Sequence, residues 1–454
     1  MEGPAHRKNT MNTYSSSHKF THLLALELII TKHSHDCSFI PSLYKSGEMT
    51  KFKARYCVRG DLEEMDVDKN TFAPTVAWST VRLFLVLCLI LGWATPVLGK
   101  GTCLQLNKSL YGTKAAPALW NTTAVEGFTK CGFKQSNFDP YLLYKKGMMV
   151  VLYVDDAGIG AKDPADIDKL IEELRELKFE LKKEGDFNEF LGIKFDKRKD
   201  GSVELTQTGL VDKVLEATGM TDCNPNRVPA TGPLGKDPDG EPMNEEWNYQ
   251  SIVGMLMYLL TNTRPDITFA VSQVARFSSD TKQSHTMAVK TIICYLKRTC
   301  TKGMIVKPTG KLNLNLFVNA DFCGLYNTKP HTDPNSAKYN ALSSALKTLI
   351  PFKRLLIQAT DHVELGDGIR ATIRALAFED NQGAYFLATN QRIISRTRWY
   401  LNKWHWFWQH VTKDGVGPET VAIHEVDTLL QDAAYFTKAQ SCEPFESNRF
   451  QVQG

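Results

Sequence analysis

The chain has 454 residues, enough for two to four domains. Its 43% hydrophobic and 23% charged residues exclude a largely disordered chain. A formal net charge of +4 permits a nucleic-acid partner without arguing for one, because a mild excess of Lys and Arg is ordinary for a soluble surface. Ten cysteines are scattered with neither the two-residue spacing of a zinc site nor a disulfide framework. They read as free thiols in a reducing compartment, and Cys294 and Cys300 fall near helical spacing but lack partners. The polar start has no apolar core behind it, so no signal peptide is read and an intracellular location is expected.

Residues 1–48 form a poorly specified lead. From Lys51, "KFKARYCVRG" mixes basic and apolar residues in near alternation, as a half-solvated strand would. No charge stands between Leu83 and Gly99. These seventeen residues sit at the lower edge for a spanning helix and Pro96 interrupts them, so a buried core helix is expected, N-capped by Ser79, and no membrane span. Strands are expected at Leu142–Lys145 and Met148–Val154, with turns at Lys146–Gly147 and over Asp155–Gly158. From Pro164 to Leu181, apolar residues at Ile167, Leu170, Ile171, Leu174 and Leu177 keep a 3.6-residue period, which predicts an amphipathic helix. A hairpin is expected around Asp200–Gly201. The Pro- and Gly-dense stretch from Val228 to Pro242 reads as an exposed linker or crossing loop. Helices follow over Tyr249–Leu260, Ile267–Phe277 and His285–Arg298, broken at Arg264-Pro265-Asp266. "KLNLNLFVNADF" then alternates with period two, a strand ending in Asp321. No internal repeat is seen.

The informative constellation is Tyr153-Val154-Asp155-Asp156, two carboxylates delivered by the apolar strand "MVVLYV" and followed by Ala157-Gly158 as a turn. Mg²⁺ takes hard oxygen ligands, often one or two carboxylates plus substrate phosphates. Successive strand residues face opposite ways, so a further carboxylate from a neighbouring strand is required to hold two ions. An Asp-Asp pair alone is more often a solvated turn. Here it does not stand alone. Besides the Y-x-D-D motif of reverse transcriptases, the chain carries "KFKARYCVRGD", "TFAPTVAWSTVRLFLVL", "LNKSLYGTKAAPALW", "YQSIVGMLMYLLTNTRPDITFAVSQVARF" and "NADFCGLYN" in one order. In these the sequence resembles the copia-type retrotransposon polyprotein over its reverse transcriptase and RNase H region, from about Lys51 to Phe450. Thr113, Ala115 and Ala118 depart from the family pattern.

The resemblance implies an α+β fold: polymerase-like fingers and palm over 49–228, helical thumb or connection over 229–310, a truncated RNase H-like α/β domain over 311–430, and a tail over 431–454. It implies Mg²⁺ at Asp155 and Asp156 for polymerisation and at Asp321 and Asp380 for RNA cleavage. The partners implied are RNA template, DNA primer and deoxynucleotides. Lys51, Lys53, Arg55 and Arg59 are candidates to grip template phosphates, or else edge lysines that block pairing. Trp399, Trp404, Trp406 and Trp408 read as the packing side of a helix rather than base-stacking rings. His405 and His410, five apart, do not share a helix face well enough for a metal.

Two losses stand against activity. The family's first polymerase carboxylate belongs shortly after Gly92-Trp93, but the fourteen residues between Trp93 and Lys108 contain no Asp or Glu, as though that strand and its following helix were deleted. The family's nuclease glutamate falls at Lys338, only sixteen residues lie between Asp321 and Lys338, and the fourth acidic position falls at Leu401. A lysine there reverses the charge a magnesium site needs. The expectation is a catalytically inactive remnant; the alternatives are a non-catalytic nucleic-acid-binding fragment or an unstable product without function.

Overall fold

The computed structural model describes residues 37–42, 53–58, 88, 96–98, 116–154, 156–181, 183–307, 312–320, 334–363, 373–391 and 404–453. The chain divides into two units, one within residues 1–73 and 105–123, the other within 74–104 and 124–454. In the first, β1 (Cys37–Ser42) and β2 (Lys53–Val58) pair antiparallel, with Cys37 opposite Val58. The strand expected from Lys51 is therefore β2, and its partner comes from the lead that carried no pattern.

The larger unit contains a six-stranded antiparallel sheet in the order β4-β5-β6-β7-β3-β8. Its strands are β3 (Pro96–Leu98), β4 (Lys134–Gln135), β5 (Leu142–Lys145), β6 (Met148–Tyr153), β7 (Asp156–Ala161) and β8 (Lys183–Asp186). The apolar run of β6 is buried from Met148 to Leu152, which makes it the spine of the sheet. A two-residue loop, Lys146-Gly147, joins β5 to β6, and Gly147 takes the positive φ of +74° that such a turn requires. Of the helix expected over Leu83 to Gly99, Cys88 is helical and buried, Pro96–Leu98 is strand, and the rest lies outside the described residues.

Helix α1 (Ala116–Lys130) precedes this sheet's hairpins, and α2 (Pro164–Glu176) follows them. Asp163 caps α2 by accepting from Ala165 N at 2.9 Å, Pro164 stands in the first turn, and Ile167, Leu170, Ile171 and Leu174 form the buried face. A Cβ on Gly127 would stand 2.4 Å from the Phe179 ring, so that glycine lets α1 close on the segment after α2. A second antiparallel sheet runs β12-β11-β10-β9, from β9 (Glu189–Phe190), β10 (Ile193–Lys197), β11 (Val203–Thr206) and β12 (Met304–Val306). Its β10–β11 hairpin turns at Asp200–Gly201 as expected, with Asp200 accepting from both Ser202 N and Ser202 Oγ.

Helices α3 (Thr208–Ala217), α4 (Tyr249–Asn262), α5 (Thr268–Ala275) and α6 (Gln283–Arg298) share one core built on Ile252, Leu256, Val271, Val289 and Ile293. The stretch from Val228 to Pro242 is not a free linker. Ala230 and Leu234 pack against that core, Gln273 Oε1 accepts from Leu234 N at 3.1 Å, and His285 Nε2 meets Gly235 O at 2.9 Å. Nor is the segment past residue 430 loose: Tyr435 and Phe445 are buried in the same core, the latter on helix α9, Cys442–Gln453. No helix among the described residues is long and apolar enough to cross a membrane.

A third sheet is parallel, ordered β13-β14-β15, from β13 (Leu314–Val318), β14 (Ala375–Glu379) and β15 (Ala422–Glu425). Helices α7 (Pro334–His362) and α8 (Gln382–Asn390) cover it through Tyr339, Leu342, Leu346, Ala384 and Leu387. Parallel strands need such cover, since their crossovers lay helices on the faces.

The helical core holds one fully buried ion pair. The Arg264 guanidinium forks onto Asp266, with Nε to Oδ1 at 3.0 Å and Nη2 to Oδ2 at 2.7 Å. It also donates to Thr299 O at 3.0 Å and Thr299 Oγ1 at 2.6 Å. Tyr295 Oη and Gln453 Nε2 complete the Asp266 carboxylate at 2.5 and 3.0 Å. Burial raises the Asp266 carboxyl, but the Arg264 charge and these donors outweigh it and hold the group below its ordinary value. Removing one partner leaves a bare buried charge, so Arg264→Ala should cost about 3–5 kcal/mol of unfolding free energy, read from the urea midpoint. The double variant Arg264→Met, Asp266→Leu should recover most of that loss. An equal loss in both variants would show that the pair does more than compensate its own charges.

Candidate catalytic carboxylates

The β6–β7 hairpin pairs Tyr153 directly with Asp156, and Val154 stands at the turn after β6. Val154 has φ +52°, unusual for a β-branched residue, and its side chain is 44% exposed. Ala157 and Gly158, expected to turn the chain, are strand residues of β7. Asp156 is buried at the start of β7. Asp155 lies outside the described residues. Burial, then the neighbouring Tyr153, pushes the Tyr258 phenol of α4 upward.

The strand hydrogen-bonded to β7 on the far side from β6 is β3, with Val97 opposite Gly158 and Leu98 opposite Ala157. A strand thus does stand where its deletion was expected. It is three residues long, Pro96-Val97-Leu98, and none is a carboxylate. Two magnesium ions need a second carboxylate wall facing the hairpin. Among the described residues no group of three or more His, Cys, Asp or Glu side chains could hold a metal, and the apolar β3 does not fit one.

Of the second expected pair of acids, the described member stands at the carboxyl end of β14. Asp380 directly follows β14, and the ammonium of Lys338, from the first turns of α7, is hydrogen-bonded to its carboxylate. Both side chains are largely buried, at 19% and 6% exposure, so this is an internal pair. Asp321 and Leu401 lie outside the described residues. A cation already holds Asp380, so the described residues here do not fit a magnesium ion either.

Sequence reasoning passed over Glu379. It is fully buried, Asn381 N donates to its Oε1 at 3.1 Å, and its Oε2 is buried without a hydrogen-bond partner. Burial pushes its carboxyl up to about 7; the Asn381 N–H and the Lys338 charge pull it down, and Asp380 pushes it up. The signal was present in the period of β14, where Ala375, Ala377 and Glu379 share the buried face. Of the phosphate-gripping candidates, Lys53 and Arg55 belong to β2, while Lys51 and Arg59 lie outside the described residues, as does Trp399. Trp404, Trp406 and Trp408 pack against the core of the third sheet, flanking buried Phe407.

Residues 96–232 match the family described as Reverse transcriptase (RNA-dependent DNA polymerase), a match that begins at β3 and takes in the whole hairpin. The Pol polyprotein from transposon TNT 1-94 of Nicotiana tabacum is 26% identical over 93% of this chain and 36% of its own length. That from transposon RE1 of Arabidopsis thaliana is 25% identical over 87% of the chain and 30% of its own length. The uncharacterized mitochondrial protein AtMg00810 of Arabidopsis thaliana is 31% identical over 41% of the chain and 76% of its own length. The chain belongs to the copia-type retrotransposon Pol polyprotein family. It spans about a third of the length of the Pol polyproteins it matches.

Within this retrotransposon chain the two buried acids at residues 379 and 380 differ in partner, and that difference is measurable. A carboxyl raised from 4.5 to about 7 by folding keeps its proton in the folded state where the unfolded chain has lost it. The stability tied to that proton is complete below about pH 4.5 and is lost as pH rises through about 7. Glu379→Gln should flatten this slope in a pH series of urea unfolding and be more stable than the parent at pH 8, by on the order of 2–3 kcal/mol. Parallel pH profiles for the two proteins would show that Glu379 is not held neutral.

Proposed function

We propose that this chain is a remnant of a copia-type reverse transcriptase with its RNase H, retaining the folds and lacking both magnesium centres. The carrying observation is the strand beside the hairpin: Pro96-Val97-Leu98 offers no carboxylate to face Asp156. On this reading residues 49–228 are fingers and palm, 229–310 the thumb or connection, and 311–430 an RNase H-like domain whose cation has been replaced by Lys338. Ancestral partners are an RNA template, a DNA primer and deoxynucleotides, and the ancestral ion is Mg²⁺ at Asp155, Asp156, Asp321 and Asp380. When bound, such ions would activate the attacking hydroxyl and stabilise the leaving group. What this chain's own residues do is different: Lys338 neutralises Asp380, and burial pushes the Glu379 carboxyl up to about 7.

Purified protein should give no primer extension on an RNA template with Mg²⁺ or Mn²⁺. Extension that disappears in Asp156→Asn would overturn the reading. The nuclease half is tested separately by Lys338→Glu, which puts a third acid beside Asp380 and Glu379. A metal that binds only the folded state raises the melting temperature by mass action. Millimolar Mg²⁺ should leave the parent unchanged and raise the variant by about 2 °C or more, saturably. A saturable rise already present in the parent would mean that its site still takes the ion.

A further inference from the structure

Helical spacing gave Cys294 no thiol partner, but the fold supplies one from 71 positions upstream. Cys223 sits in the loop after α3 and Cys294 on α6, and the Cys223 thiol is the neighbouring group that acts on the Cys294 thiol. Two nearby points of that loop are tied to the helix. Lys297 Nζ donates to Cys223 O at 3.0 Å, and Asn226 N donates to Cys294 O at 3.2 Å. Cys223 also packs against the helical core, so the contact does not depend on a swinging side chain. Each cysteine is only partly buried.

We propose that Cys223 and Cys294 are a redox-active dithiol, closed to a disulfide by small-molecule disulfides of the glutathione class and reopened by thiols. In the first step one protein thiolate attacks the oxidant's S–S bond, forming a mixed disulfide and expelling one small thiolate, which takes up a proton. In the second, the other protein sulfur loses its proton and attacks the protein-side sulfur of the mixed disulfide. The second small thiolate leaves and is protonated in turn. The two protein sulfurs are oxidised by two electrons, and the oxidant is reduced by the same two to two thiols. Burial, then the adjacent Cys223, pushes Cys294 up to about 11, against the pull of the Lys297 ammonium. That thiol is protonated at neutral pH, so closure should speed up as pH rises toward 9.

The closed form would join the α3 loop to α6 around α4 and α5, a ring of roughly seventy residues. Cross-links over rings of that size restrict the unfolded chain strongly. The test incubates the full chain with oxidised glutathione, quenches it with acid, and reads intact mass, peptide map and melting temperature. The expected product has lost two hydrogens and carries a Cys223–Cys294 linked peptide. It should melt roughly 5–15 °C higher, with the rise reversed by dithiothreitol. Cys223→Ser and Cys294→Ser should each abolish the linkage and the shift, whereas Cys300→Ser should keep both. Separate glutathione adducts on the two cysteines without the linked peptide, or a linkage through Cys300, would overturn the proposal. The peptide map of the unsubstituted chain decides the matter even where a serine variant folds poorly.

Discussion

The helical half of the larger unit depends on how one buried carboxylate is answered. Taking Asp266 and Arg264 out of water costs several kcal/mol per ion, and the attraction between them offsets this only where geometry is good and the remaining lone pairs and protons are met. Here they are met from four places in the chain. The one-turn 3-10 helix Pro265–Ile267 folds Arg264 back on Asp266, α6 supplies Tyr295, Thr299 ends it, and Gln453 arrives from the last helix. The fork of the Arg264 guanidinium serves the Asp266 carboxylate and both oxygens of Thr299 at once, as an ammonium could not. The consequence reaches the far end of the sequence. Residues 432–453 have the composition of a trailing segment, yet they complete a buried network and belong to the core that α4 to α6 began.

Three acids in this unit show that partner, not burial alone, sets the charge. Asp266 is buried and ionised because a guanidinium and two further donors face it. Asp380 is nearly as buried and faces an ammonium. Glu379, its neighbour, is fully buried with a backbone N–H on one oxygen only, and burial pushes its carboxyl up to about 7. Folding tolerates all three solutions. Metal chemistry tolerates only ionised, converging carboxylates with no resident cation.

Local patterns carried much of the fold in the sequence. The hairpins at Lys146–Gly147 and Asp200–Gly201 follow from turn chemistry between apolar runs, and α2 follows from the 3.6-residue period. What escaped were features set at a distance. Three residues of β3 are too short to show a period, and only pairing with β7 makes them a strand. Ala157-Gly158 looked like a turn because small residues serve turns and crowded strands alike. The stretch around Leu234 looked like a linker because its prolines and glycines say nothing of the helices beneath it. The Cys223–Cys294 contact and the Lys338–Asp380 pair join residues 71 and 42 positions apart, which no local window sees.

The position of Lys338 also shows how an internal salt bridge is delivered to the end of a parallel strand. Helix α7 is anchored by Tyr339, Leu342 and Leu346, all fully buried, and this stripe fixes the helix against the parallel sheet whatever stands at 338. Docking then delivers residue 338 to the end of β14. With an acid at 338, the fold would bring like charges together, and an ion would be needed to make the arrangement favourable. With lysine, the same docking closes a salt bridge, and the fold no longer depends on metal. On the proposed reading, the substitution that removed the chemistry also removed the strain that the chemistry had imposed, so the sheet and its helices are stable without the ion.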